Sequence, residues 1–256
     1  MFVVVCLTAL IASGLTLFSG FGLGTLLLPA FAFFFPIPIA VAMTAWVHLA
    51  NNLFKLILFG RHADLKVALR FGITALPAAY GGAWLLLRLE GIPVLMQYQI
   101  GQTHFEITYL KLAIALVMAV FAILELIPAF NKLTLAAKWL PLGGLLSGFF
   151  GGFSGHQGAL RSVFLLRTGL SKEAFIGTGV VLACLIDFVR LIEYWERWNA
   201  SDIKAHLPLL LAAMTAAFLG AYLGAKWFKK ATLTTVQRFV SALLLLLAIL
   251  LAIGFI

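Results

Sequence analysis

The chain has 256 residues, 63% of them hydrophobic and 11% charged, with a net charge of +9 and a mean hydropathy of +1.10. That balance excludes a soluble domain of this size and describes an integral membrane protein. The surplus of Lys and Arg does not point to nucleic acid, because these residues gather at the ends of apolar runs, where membrane topology places them.

The first stretch, Met1 to Phe35, holds no charged residue. Met1–Phe18 lacks the basic flank and small-residue cleavage pattern of a signal peptide, so it reads as mature structure. As one straight helix the stretch would run ~52 Å, too long for one crossing of a core ~30 Å thick and too short for two with a turn. The spacing predicts a broken, re-entrant helix hairpin over 2–36, kinked in Phe18-Ser19-Gly20-Phe21-Gly22-Leu23-Gly24. Transmembrane helices are then predicted at 38–59, 66–89 and 107–128, each near the ~20 residues a crossing needs. Between the last two, Gly91–Glu106, with Pro93 and Gln97-Tyr98-Gln99, reads as an external loop or surface-lying element.

The second half repeats this order. A second re-entrant hairpin is predicted over 139–168, with its tip in Phe153-Ser154-Gly155-His156-Gln157-Gly158. Spans follow at 171–195, 204–225 and 236–255. Ser13-Gly14 is matched by Ser147-Gly148, and Asn52-Leu53-Phe54-Lys55-Leu56-Ile57 by Asp187-Phe188-Val189-Arg190-Leu191-Ile192. The fold class is therefore an all-α polytopic membrane protein of two repeats, 1–130 and 131–256; a β-barrel would show short alternating segments instead.

Charge supplies a second test of the hairpins. If both glycine segments crossed fully, Lys and Arg would divide evenly between the two faces. With both re-entrant, Arg61, Lys66, Arg70, Lys132, Lys138, Arg167, Lys172, Lys226, Lys229, Lys230 and Arg238 share the cytoplasmic side. Arg88, Lys111, Arg190, Arg197 and Lys204 fall opposite. Both termini are then external, and three spans per half make the repeats inverted in topology. Trp195 and Trp198 belong to the outer aromatic belt.

Four polar groups stand at lipid depth. The first is the pair of tips, Ser19, Gly20, Phe21, Gly22, Gly24 and Thr25 against Ser154, Gly155, His156, Gln157 and Gly158. A half-helix that starts after such a turn directs unpaired amides and its positive dipole end at an anion. Close helix packing through the same glycines is the plainer reading. The second is Arg161 with Ser162, a fork of oxyanion donors or an arginine snorkelling to the surface. The third is the stripe of Thr44, His48, Asn51 or Asn52, and Lys55, either a cavity wall or glue between helices. The fourth is Asp187 with Arg190, three residues apart on one span, either a packing ion pair or a proton-linked carboxylate. Glu125, His62, His104 and His206 read as interfacial, and Cys6 and Cys184 as small packing residues.

On the doubled unit, on Gly20-Phe-Gly-Leu-Gly-Thr-Leu-Leu-Leu-Pro29 and on Ser147-Gly-Phe-Phe-Gly-Gly-Phe-Ser-Gly155, the chain resembles the sulfite exporter TauE/SafE family, also called the toluene sulfonate uptake permeases. The likeness runs over essentially the whole length. It departs in the second tip, where His156-Gln157 interrupts the glycines and Arg161-Ser162 stands where the family has a proline. The resemblance implies transport of small sulfur oxyanions or organosulfonates, such as sulfite or sulfoacetate, across the bacterial inner membrane, linked to an ion gradient, a proton or another ion.

The residues by themselves reach a secondary transporter of a small anion, working by alternating access around a midplane site between two repeats. A passive anion channel or structural membrane subunit is the first alternative. A membrane-embedded enzyme is the second, and the sequence lacks paired carboxylates, His-x-x-x-His spacing and a nucleophile elbow. No catalytic residue, metal ligand or cofactor is assigned. The expected partners are the anion, a coupling ion and membrane lipid, without nucleic acid. The small-residue face Gly220-Ala221-Tyr222-Leu223-Gly224 suits contacts within one chain or between two, so oligomeric state stays open.

Overall fold

The computed structural model describes residues 1–16, 22–127, 135–197, 200–227 and 233–256. Ten α-helices make up the described chain: α1 (Phe2–Thr16), α2 (Leu23–Ala32), α3 (Ile37–Phe59), α4 (Leu65–Glu90), α5 (Tyr109–Leu126), α6 (Leu140–Ser154), α7 (Gly158–Leu165), α8 (Lys172–Arg197), α9 (Ala200–Trp227) and α10 (Leu233–Ala252). The protein is an all-α multi-pass membrane protein. Among the described residues, four segments are long and apolar enough to cross a bilayer: Ile37–His62, Tyr109–Leu126, Lys172–Trp195 and Ala205–Gly224. Helix α4 has the length, at 26 residues. Its Gly72, Pro77, Gly81 and Gly82 dilute its apolar character, and Gly82 lies against the Phe149 backbone.

Local chemistry explains several boundaries. The Asp64 carboxylate caps α4, accepting from the amides of Lys66 at 2.9 Å and Val67 at 3.0 Å. Thr108 caps α5 through the Lys111 amide at 3.1 Å. Pro38 and Pro141 stand in the first turns of α3 and α6, where a missing N–H costs nothing. The two chain breaks both use left-handed glycine: Gly22 at φ 114° precedes α2, and Gly155 at φ 83° ends α6.

Two apolar cores hold the bundle. The larger gathers residues of α1, α2, α3, α5, α9 and α10 with the far end of α4. The smaller joins α4, α6, α7 and α8 around Phe71, Leu140, Phe164 and Ile186. Small residues set the approach in the second core. A Cβ on Gly144, Gly148 or Gly152 would land on the carbonyls of Phe71, Ala75 and Ala79, so α4 and α6 run parallel with their backbones in direct contact. Gly220 and Gly224 of α9 meet Leu10 and Gly14 of α1 in the same way.

The α6–α7 segment folds back on itself. The Leu135 amide donates to the Val163 carbonyl at 3.3 Å, and the Phe164 ring lies against Gly143, so the end of α7 returns beside the base of α6. The 91–106 region holds an antiparallel hairpin, Met96–Ile100 with Thr103–Ile107, that the all-helical expectation did not include. Its alternation of Met96, Tyr98 and Ile100 with Gln97 and Gln99 is the strand period, and Tyr98 stacks on Phe105, which stacks on Phe255.

Candidate functional site

Helix α8 places Asp187, Arg190 and Tyr194 on one face at i, i+3 and i+7, all buried. Arg190 Nη2 lies 2.7 Å from Asp187 Oδ1, and neither side chain has any exposed surface. The other carboxylate oxygen meets His48 Nδ1 of α3 at 2.5 Å. Gln157, at the turn between α6 and α7, donates through Nε2 to Asp187 Oδ1 at 3.0 Å. Arg161, one turn into α7, donates through Nη1 to Gln157 Oε1 at 2.8 Å. One carboxylate thus ties α3, α7 and α8 together. Ionised acid at this depth is tolerable only with several partners at once.

The tip of α6 is seated on the same cluster. Arg190 Nη1 donates to the Gly151 carbonyl at 3.1 Å, and the Tyr194 hydroxyl to that of Gly152 at 2.6 Å. These carbonyls lie in the last turn of α6, where that of Gly151 also accepts the Gly155 amide at 3.0 Å. Ser147 Oγ donates to the Gln157 carbonyl at 2.8 Å, bracing the turn from below. A Cβ on Gly155 would stand 3.0 Å from Arg190 Nη1, so the guanidinium occupies the room a side chain would need.

The first-half break arrives at the same place. A Cβ on Gly24 would stand 3.4 Å from the Gly155 carbonyl and 3.6 Å from His48 Cδ2. Ser13 Oγ of α1 donates to Asn51 Oδ1 of α3 at 3.0 Å, and Asn52 Nδ2 to the His48 carbonyl at 2.9 Å. Lys55, one turn further along α3, is buried with Arg161 and Cys184 close enough to act on its charge.

The sequence candidates therefore divide. Gln157, Arg161, Asp187, Arg190, His48 and Asn52 join one hydrogen-bonded network, with Lys55 at its edge. Gly22, Gly24 and Thr25 stand at the buried start of α2, and Gly158 opens α7. Thr44 and Ser162 direct their hydroxyls to their own helices, at the Ala40 and Gly158 carbonyls. Ser154 does the same at Phe150 and also meets His156 Nδ1 at 3.0 Å. His156 turns away from the network and stacks on Phe121 of α5, with ring centroids 5.5 Å apart. Ser19, Gly20, Phe21 and Trp198 lie outside the described residues.

Some participants were not among the sequence candidates for the site. Tyr194 shares the helical face of Asp187 and Arg190, a spacing that would have found it. Ser13 and Ser147 stand in matched Ser-Gly pairs. Glu125, expected at the interface, is 4% exposed and lies 3.4 Å from Ser241 Oγ, because its turn of α5 faces α10 rather than water. His206, expected in a loop, lies in α9, edge-on to Phe35.

A multi-pass helical bundle with an ion cluster sealed between two chain breaks has the build of a membrane transporter. The family model for the sulfite exporter TauE/SafE proteins matches residues 5–251, and the chain belongs to that family. No curated protein and no solved structure matches it.

Proposed function

We propose that the protein is a secondary transporter of a small sulfur oxyanion or organosulfonate, bound where the two chain breaks meet and moved by alternating access. The family name supports sulfite as the first substrate to try. The observation that carries the reading is the burial of Lys55 and Arg161 on helices that also hold the Gln157–Asp187 network. Side chains of this kind at membrane depth mark substrate and ion pathways. The first-turn amides of α7 add donors next to Arg161 that no helical carbonyl takes up.

In this reading the halves 1–130 and 131–256 are inverted repeats, each a re-entrant hairpin plus three spans. The fold-back of α7 onto the base of α6 and the meeting of Gly24 with Gly155 support it. The termini are periplasmic and the membrane is the bacterial inner membrane. Asp187 couples transport to a proton, since its partner His48 belongs to the other half and a rocking of one half against the other would separate the two.

The test is uptake of labelled sulfite and sulfoacetate into liposomes holding the protein, with and without a pH gradient. Gln157→Ala and Arg161→Ala should each cut saturable flux at least ~10-fold, the effect of losing one charge-assisted contact. Wild-type flux in both variants rejects the site. Asp187→Asn should remove the dependence on the pH gradient while counterflow exchange partly survives. Flux that never saturates favours a passive channel instead.

A further inference from the structure

The geometry points to Lys55 as the cation that meets the transported anion, with Asn52 as the residue that keeps it available. The inference rests on the transport reading above and places the charged end of the substrate on α3, beside Arg161. Its basis is an asymmetry between two helices. Asn52 and Lys55 of α3 repeat the spacing of Asp187 and Arg190 on α8, amide in place of acid and ammonium in place of guanidinium. On α8 the pair closes on itself at 2.7 Å. On α3 it does not. The Asn52 amide donates to the His48 carbonyl, and Lys55 is left without an internal counterion.

Lys55 is 7% exposed, yet among the described residues its ammonium makes neither a hydrogen bond nor an ion pair. The groups near enough to act on it are a second cation, Arg161, and the Cys184 thiol. Asp187 is engaged by His48, Gln157 and Arg190, and Glu193, the other buried acid of α8, is not among the groups acting on Lys55. Nearby cations repel each other, and an ammonium at membrane depth with no internal counterion is costly. An oxyanion bound at Lys55 relieves that repulsion. Its oxygens would take the three ammonium donors of Lys55.

Lys55 could instead be a structural residue whose long stem fills space. The two roles predict opposite signs. A structural lysine, once removed, lowers stability in every buffer. A lysine held ready for an anion lowers stability while the site is empty, so its removal raises the thermal midpoint without anion and abolishes the rise that anion produces.

The experiment uses the full chain in detergent with sodium sulfite as the probe, and sulfate and chloride at matched ionic strength as controls. Equilibrium dialysis with labelled sulfite gives affinity, and the thermal midpoint with and without sulfite gives stability. Lys55→Gln should weaken sulfite binding at least ~10-fold, one charge-assisted contact, and raise the anion-free midpoint. Lys55→Arg should stay within ~3-fold of wild type, because charge and reach are kept. Asn52→Asp should weaken binding as much as Lys55→Gln, by supplying on α3 the counterion that α8 already has. The double variant should be no worse than either single one, the signature of residues acting through one contact. Wild-type affinity in Lys55→Gln, or a lowered anion-free midpoint together with unchanged binding in Asn52→Asp, overturns the assignment while transport stands. Absence of both sulfite binding and sulfite uptake in the wild-type chain overturns the transport reading with it.

Discussion

Helices α3 and α8 carry one pattern in two chemistries. On α8 an acid sits three residues before a cation, the two are in contact, and the tip of α6 is docked on the pair through Gly151 and Gly152. On α3 an amide sits three residues before a cation and the cation is left over. The lesson is that a repeated sequence can assign structure to one copy and availability to the other. Neutralised charge anchors a backbone; unneutralised charge waits for a ligand.

The comparison breaks most visibly at Asp187. Asp187→Ala leaves Arg190 buried without its acid and should cost about 3–5 kcal/mol, whereas replacing Asp187 and Arg190 together by Leu and Met should restore most of that. Denaturant titration in detergent measures both, and equal losses in the single and double variants would deny the pair its anchoring role. Gly155→Ala comes next. It needs left-handed backbone from a residue with a Cβ, about 1–2 kcal/mol, and crowds Arg190 at 3.0 Å. Alanine at Gly169, also left-handed but with open space around it, should pay the backbone cost alone. Tyr194→Phe removes one hydrogen bond to Gly152 and should lose about 1 kcal/mol. Asn52→Ala should lose the least, at most about 1 kcal/mol, because its amide donates to a carbonyl that its own helix already uses. A larger loss at Asn52 than at Tyr194 would reverse the contrast between the helices.

The membrane class and the all-α character were legible in the residues. Apolar runs of bilayer length and left-handed glycines between them are local signals, and local signals survive in a single sequence. The expected span at 66–89 became α4 from Leu65 to Glu90, and the expected break between 139 and 168 fell at Gly155. The strand pairing at 96–107 was less legible, because period-two alternation over five residues is faint beside the apolar runs around it.

What the sequence determined by itself was the inventory: which polar side chains stand at membrane depth and call for partners there. Which partners they found was decided by tertiary structure alone. Gln157 and His156 are neighbours in the chain, yet one reaches Asp187 on α8 and the other lies flat on Phe121 of α5. His48 and Asp187 are 139 residues apart and share a hydrogen bond. The physical reason is that helix periodicity fixes the face a residue occupies but not the helix that face will meet, which depends on how small residues such as Gly148 and Gly152 let backbones approach.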